Sequence, residues 1–139
     1  MTKTKLKRSP RGSDAKSRSQ DGVPMPVLSI RIDLADGFRL GPGKVRLMEL
    51  IAEHGSISAA GRAMGMSYRR AWLLVESLNG AFCEPLVVTQ TGGSRGGGAG
   101  LTKLGHSIVA RYRSIEAAAT ATAGPHLRVL ASALLPAGC

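Results

Sequence analysis

The sequence predicts an α/β mixed fold, mainly α, and three observations carry that prediction. Apolar residues recur at helical spacing through most of the chain after Gly41, whereas period-two alternation is confined to short stretches. Glycine and proline stand where helices start and stop. A length of 139 residues leaves room for one core and not for two. The expected organisation is a basic arm over 1–26, a folded domain over 27–123 and a tail over 124–139.

The arm carries seven Lys/Arg against two Asp, which is half of the formal net charge of +10. So few apolar residues cannot offset the entropy of ordering, and disorder is expected. Its functional reading is a phosphate-binding tail; a solubilising leader is the plainer one. "VLSIRID" (27–33) alternates Leu28, Ile30 and Ile32 with polar neighbours and reads as a half-buried strand. "ADG" turns the chain. "GPGKVRLMELIAEHG" (41–55) reads as a helix, with Pro42 in its first turn and Gly55 as its stop. Val45, Met48 and Ala52 form its apolar row, widened by Leu47 and Ile51.

In "SISAAGRAMGMSYRRAWLLV" the spacing becomes specific. Two short helices that lock at a steep angle need apolar residues at fixed offsets, and Ala60, Met64, Met66, Ala71 and Leu74 occupy them. Gly61 removes bulk where the helices cross, Gly65 suits the tight turn, and Ser67 stands as N-cap. This is a helix-turn-helix pattern. In its second helix Ala71, Leu74, Val75 and Leu78 share an inward face, while Arg69, Leu73 and Glu76 point away. Trp72 falls at the edge of the apolar stripe and is assigned to the core. The exposed first turn offers Ser67, Tyr68, Arg69 and Arg70. Two arginines there oppose the helix dipole, so they are poor choices for stability alone. At the mouth of a major groove they are suited to guanine O6 and N7.

"PLVVTQTGGSRGGGAGLT" (85–102) reads as strand, glycine-rich tip and return strand, with Ser94 and Arg95 placed to touch a DNA backbone or minor groove. It lacks the G-x-x-x-x-G-K-[ST] of a phosphate loop and the third glycine of G-x-G-x-x-G. "TKLGHSIVARYRSIEAAATATA" follows as a long helix capped by Thr102. Its stripe of Leu104, Ile108, Ile115 and Ala119, widened by Val109 and Tyr112, predicts a homodimer through the helix from Thr102 to Ala119. Gly124-Pro125 is expected to break that helix. The architecture is therefore a winged helix-turn-helix with a long C-terminal dimerisation helix.

Nineteen Lys/Arg against nine Asp/Glu and a pI near 10.6 favour a polyanionic partner, and double-stranded DNA fits the helix-turn-helix. No apolar run approaches a membrane span, and a membrane role is not expected. Cys83 and Cys139 lack metal-site spacing and suggest reduced thiols in a cytoplasm. His54, His106 and His126 stand apart from clustered carboxylates or cysteines, so neither a catalytic site, a metal site nor a cofactor is expected. The alternatives to a sequence-specific regulator are a sequence-neutral architectural DNA-binding protein, which charge alone would support, and a module that binds only protein.

From about Arg39 to Ala118 the chain resembles the N-terminal winged helix-turn-helix domain of the ModE family of molybdate-responsive regulators, itself related to LysR-type DNA-binding domains. The resemblance rests on "GSIS" (55–58), "SYRRAW" (67–72), "GG-x-x-GGGA" (92–99) and "LT-x-x-G" (101–105), in that order. It implies a dimeric DNA-binding domain whose helix from Ser67 reads operator bases through Ser67, Tyr68 and Arg69, with 92–99 as wing. The family's regulators continue into oxyanion-binding domains, for which this chain shows no segment. The expectation drawn from that difference is that it binds no molybdate.

Overall fold

Residues 25–90 and 98–135 are described by a computed structural model. They fall into two compact units, 29–119 and the remainder formed by 25–28 with 120–135. The fold is mainly helical with two small antiparallel sheets and a long C-terminal helix, as the periodicity predicts.

The alternating stretch yields less strand than expected. Only Ile32–Asp33 (β1) is extended and paired, with Ile32 opposite Leu40 and Asp33 opposite Arg39 of β2 (Arg39–Leu40). Alternation makes a strand only as long as its partner, and β2 ends where Gly41 and Pro42 begin a helix. The turn between them is a 3₁₀ turn over Ala35–Gly37 with Asp36 at φ 59°, a left-handed conformation that aspartate tolerates.

Helix α1 (Pro42–His54) starts with Pro42 and ends at Gly55, whose φ of 69° is the left-handed stop expected there. Its buried arc of Val45, Leu47, Met48, Leu50 and Ile51 supplies much of the core. Ala52, placed in the apolar row by the sequence, is exposed, because the arc centres on Ile51. Ser56 caps α2 (Ile57–Ala63) through the Ala59 N–H at 3.0 Å. A turn at Gly65 (φ 71°) leads to α3 (Tyr68–Ala81), capped by Ser67. A Cβ on Gly61 would stand 3.0 Å from the Ala71 Cβ, so the helices cross closely there and an added methyl would have to displace its neighbour. Ala71, Val75 and Leu78 are buried and Leu74 is half-buried, as the wheel predicts. Trp72 is half-buried against the core.

Asn79 carries the chain from α3 into the next sheet. Its side-chain amide donates to the Val87 carbonyl (3.0 Å), and its oxygen accepts from the N–H groups of Leu86 (2.8 Å) and Val87 (3.0 Å). Strand β3 (Val87–Gln90) pairs with β4 (Gly98–Leu101) in the register Val87 to Leu101 and Gln90 to Gly98. The Ala99 N–H donates to the Gly55 carbonyl at 2.9 Å, which fixes β4 against the end of α1.

Helix α4 (Lys103–Ser132) begins at Thr102, whose hydroxyl accepts from the Gly105 N–H (2.9 Å) and donates to the Pro85 carbonyl (2.8 Å). Tyr112 is buried, with its hydroxyl donating to the Ile30 carbonyl at 2.6 Å. Burial pushes its phenol pKa up. Arg113 grips both oxygens of Glu49 on α1, at 3.0 Å from Nε and 2.8 Å from Nη2, and reaches Glu116 at 2.7 Å. That bidentate bond, ahead of the opposing effect of burial, holds the Glu49 carboxyl below its ordinary range.

Of the α4 stripe, Tyr112 is buried, Leu104, Ile108 and Val109 are half-buried against the chain's own core, and Ile115 is exposed. One expectation for α4 changes. Gly124-Pro125 does not end the helix, which continues to Ser132. A proline inside a helix leaves one carbonyl without its donor, at a cost of about 3 kcal/mol. Helix-forming residues on both sides, from Ala117 to Ala123 and from His126 to Ala131, outlast that interruption.

Candidate nucleic-acid interface

The first turn of α3 leaves Tyr68, Arg69 and Arg70 exposed. Ser67 does not project freely: its hydroxyl accepts from the Arg70 N–H at 3.1 Å and is occupied in starting the helix. That cap sets where the next residues point. Tyr68 is 60% exposed and meets Trp72 edge to face, with ring centroids 6.2 Å apart. One turn of helix thus anchors the tyrosine ring on a half-buried indole and leaves its outer edge in solvent. Arg69, Arg70 and Leu73 are exposed, and neither arginine forms an ion pair among the described residues. Five of the expected site residues are therefore together on one helix end. Ser94 and Arg95 lie outside the described residues; the stem of their hairpin is held on the 29–119 unit by β4 and Gly55.

The two arginines have different surroundings. Arg70 borders a hollow of about 360 Å³ that is also lined by Arg31, Arg39, Gly41, Pro42, Gly43, Lys44, Met64, Met66 and Leu74. Arg69 does not. Lys44 is half-buried, with its ammonium donating to the Arg39 carbonyl at 2.7 Å and lying 4.7 Å over the Phe38 ring. Arg31 pairs with Asp33 at 3.0 Å, and Arg39 reaches the same carboxylate more loosely, at 3.8 Å. Four cations thus surround one hollow beside one carboxylate. The sequence reading missed Arg31, Arg39 and Lys44, because nothing in their spacing links them to Arg70. Only the packing of β1, β2 and the start of α1 against α3 brings them together.

Among the described residues there is no group of three or more His, Cys, Asp or Glu placed to hold a metal, and no helix long and apolar enough to cross a membrane. Cys83 is exposed.

No family model matches the chain. Comparison with curated proteins finds relatives over part of it. The molybdenum-pterin-binding protein MopA of Rhodobacter capsulatus is 38% identical over 98 residues, which is 70% of this chain and 37% of MopA. The molybdenum transport protein ModE of Azotobacter vinelandii is 41% identical over 85 residues, 61% of this chain and 32% of that protein. The DNA-binding transcriptional dual regulator ModE of Escherichia coli K12 is 38% identical over 71 residues, 51% of this chain and 27% of the regulator. The chain spans about a third of the length of these relatives.

These relatives overturn the expectation that molybdate is not a partner. MopA is named for binding a molybdenum compound and the Azotobacter protein for molybdenum transport. The expectation rested on a missing second domain and on the lack of a cationic pocket legible in the sequence. Where a chain stops says nothing about what it binds, and the folded unit does hold a cation-lined hollow. Over half to seven tenths of its length, the chain is related to the ModE and Mop proteins, of which some are transcriptional regulators.

Proposed function

We propose that this chain is a sequence-specific DNA-binding transcriptional regulator of the winged helix-turn-helix type. Helix α3 is its recognition helix, and the β3–β4 hairpin with the Gly92–Ala99 tip is its wing. The observation that carries this reading is the start of α3. A helix capped at Ser67 and set by the Gly65 turn presents Tyr68, Arg69, Arg70 and Leu73 to solvent, with neither arginine paired among the described residues. Unpaired arginines at a helix start are a cost to the free protein that a polyanion removes. Similarity to DNA-binding ModE regulators supports the same reading. The chemistry is binding and not catalysis, and the place of action is the cytoplasm. The relatives' names extend to this chain as a link between its regulation and molybdenum.

The runner-up is a sequence-neutral architectural protein, favoured by the net charge of +10. Selection from a random duplex pool, followed by titration of the selected and a scrambled duplex, separates the two. A regulator prefers the selected duplex by orders of magnitude, and Arg69→Ala removes on the order of 1–3 kcal/mol of that preference. Equal affinity of the unmodified protein for both duplexes refutes sequence-specific regulation in favour of packaging.

A further inference from the structure

We propose that the hollow between Arg31, Arg39 of β2, the start of α1 and the start of α3 is a phosphate seat. It takes one backbone phosphate of the DNA whose bases α3 meets, and so divides the labour of the two adjacent arginines. Arg69 faces bases; Arg70 joins Arg31, Arg39 and Lys44 around the phosphate. The inference rests on the DNA-binding reading above and adds residues and a role to it.

The observations are geometric and electrostatic. Four cations line one concavity of about 360 Å³, and Asp33, the carboxylate that pairs with Arg31 and Arg39, is not in the lining. The remaining lining is glycine, proline, methionine and leucine, which offers no counter-charge. Low-dielectric walls of that kind focus a positive potential. The first turn of α1 contains no carboxylate and adds to the same sign. Lys44 is held in place by the Arg39 carbonyl and the Phe38 ring, so its charge is positioned before any partner arrives. The hollow also adjoins α3 at Arg70, one residue from Arg69. A duplex lying on the α3 start therefore runs a strand past the hollow, and phosphates are the groups that a strand presents outward. A concavity of this size has room for a phosphate with its waters.

A base-reading role and a phosphate-seating role differ in what they lose. Phosphate contacts weaken all sequences alike and carry the salt dependence; base contacts carry preference. The test uses the full chain, a selected duplex and a scrambled duplex at two salt concentrations. Arg39→Gln and Arg70→Gln, both at exposed positions, are expected to weaken both duplexes by a similar factor, roughly fivefold each, and to flatten the salt slope by roughly 0.9 per contact. Arg69→Ala is expected to lower preference instead. A second arm keeps the protein unmodified and replaces single phosphates of the selected duplex by neutral methylphosphonates. One or two positions flanking the α3 footprint should lose affinity, and that loss should vanish in Arg39→Gln.

Hollow variants that bind both duplexes as the parent does overturn the proposal. So does a loss confined to the selected duplex, which would make the hollow a base reader. Stoichiometric capture of inorganic phosphate by the free protein, with DNA binding unaffected by Arg39→Gln, would make it a small-anion site and equally overturn it. Failure of the parent protein to bind any duplex defeats the DNA-binding reading itself, and is distinguishable because it needs no variant.

Discussion

Gly105 is the position where one methyl group should do the most damage. A Cβ there would overlap the Leu86 carbonyl oxygen, and would stand 3.1 Å from the Leu86 carbonyl carbon and 3.3 Å from the Leu101 Cβ. The oxygen has no easy retreat. It accepts from the Thr102 N–H at 2.9 Å, and the Leu86 N–H is tied to Asn79 at 2.8 Å. Ordinarily Gly→Ala inside a helix gains about 1 kcal/mol through propensity and a less disordered unfolded chain. Forcing an added carbon into a filled site costs about 1–3 kcal/mol, and the upper end applies where the obstacle is backbone. The net expectation for Gly105→Ala is a loss of about 2 kcal/mol. In a unit of this size that lowers the midpoint of thermal unfolding by about 8–16 °C. Urea unfolding followed by circular dichroism reads it as a lower midpoint at unchanged slope. Gly80→Ala in α3 is the control, because a Cβ there meets nothing within 4 Å. It should leave stability unchanged or raise it by up to about 1 kcal/mol. Gly105→Ala as stable as the parent, with Gly80→Ala behaving as stated, would show that α4 does not sit against Leu86 as described.

Other consequences are open to simpler measurements. Tyr112→Phe removes the hydroxyl bonded to Ile30 and should cost about 1 kcal/mol in chemical denaturation, with the carbonyl of Ile30 left to find water. Glu49 contributes pH-dependent stability. Its pKa is lowered in the fold from 4.5, chiefly by the Arg113 bond, so its contribution is complete well above that value and is lost as pH falls through the folded pKa. The stability gap between the parent and Glu49→Gln should therefore narrow as pH drops below about 4.5; a gap independent of pH would contradict the pairing. Light scattering at micromolar concentration is expected to report a dimer of the 14.5 kDa chain, with Ile115 at the contact, and Ile115→Asp to shift it towards monomer.

Much of this fold is written in local chemistry. Gly55 and Gly65 adopt left-handed φ because the chain must leave one helix and enter another, and glycine does so without a Cβ penalty. Ser56, Ser67 and Thr102 each cap the helix that follows them, so three helix starts are legible from three hydroxyls. Apolar spacing within α3 predicts which side is buried, since a wheel needs no knowledge of the partner. What is not local was misread for reasons of the same kind. The alternation over 27–33 predicts a strand, but strand length is set by the partner, and β2 has two residues. On α4 the surroundings of Tyr112 are equally non-local, since its hydroxyl reaches Ile30, far away in the sequence.

The site divides along the same line. Tyr68, Arg69, Arg70 and Leu73 can be grouped from the sequence because they share one turn and a half of one helix, where sequence neighbours are also spatial neighbours. Arg31 precedes β1, Arg39 lies on β2 and Lys44 on α1, and the charge they place beside Arg70 exists only after folding. A sequence total of +10 records that cations are in excess without saying where they meet. The same total would arise with Arg39 and Lys44 on the far face, and the proposed DNA contact would then keep its net attraction while losing a fixed register for α3. Register is therefore the property to examine. A helix start alone can slide or tilt in a groove, whereas a helix start beside the proposed phosphate seat would be pinned at two points, the second setting register and affinity and the first carrying base preference.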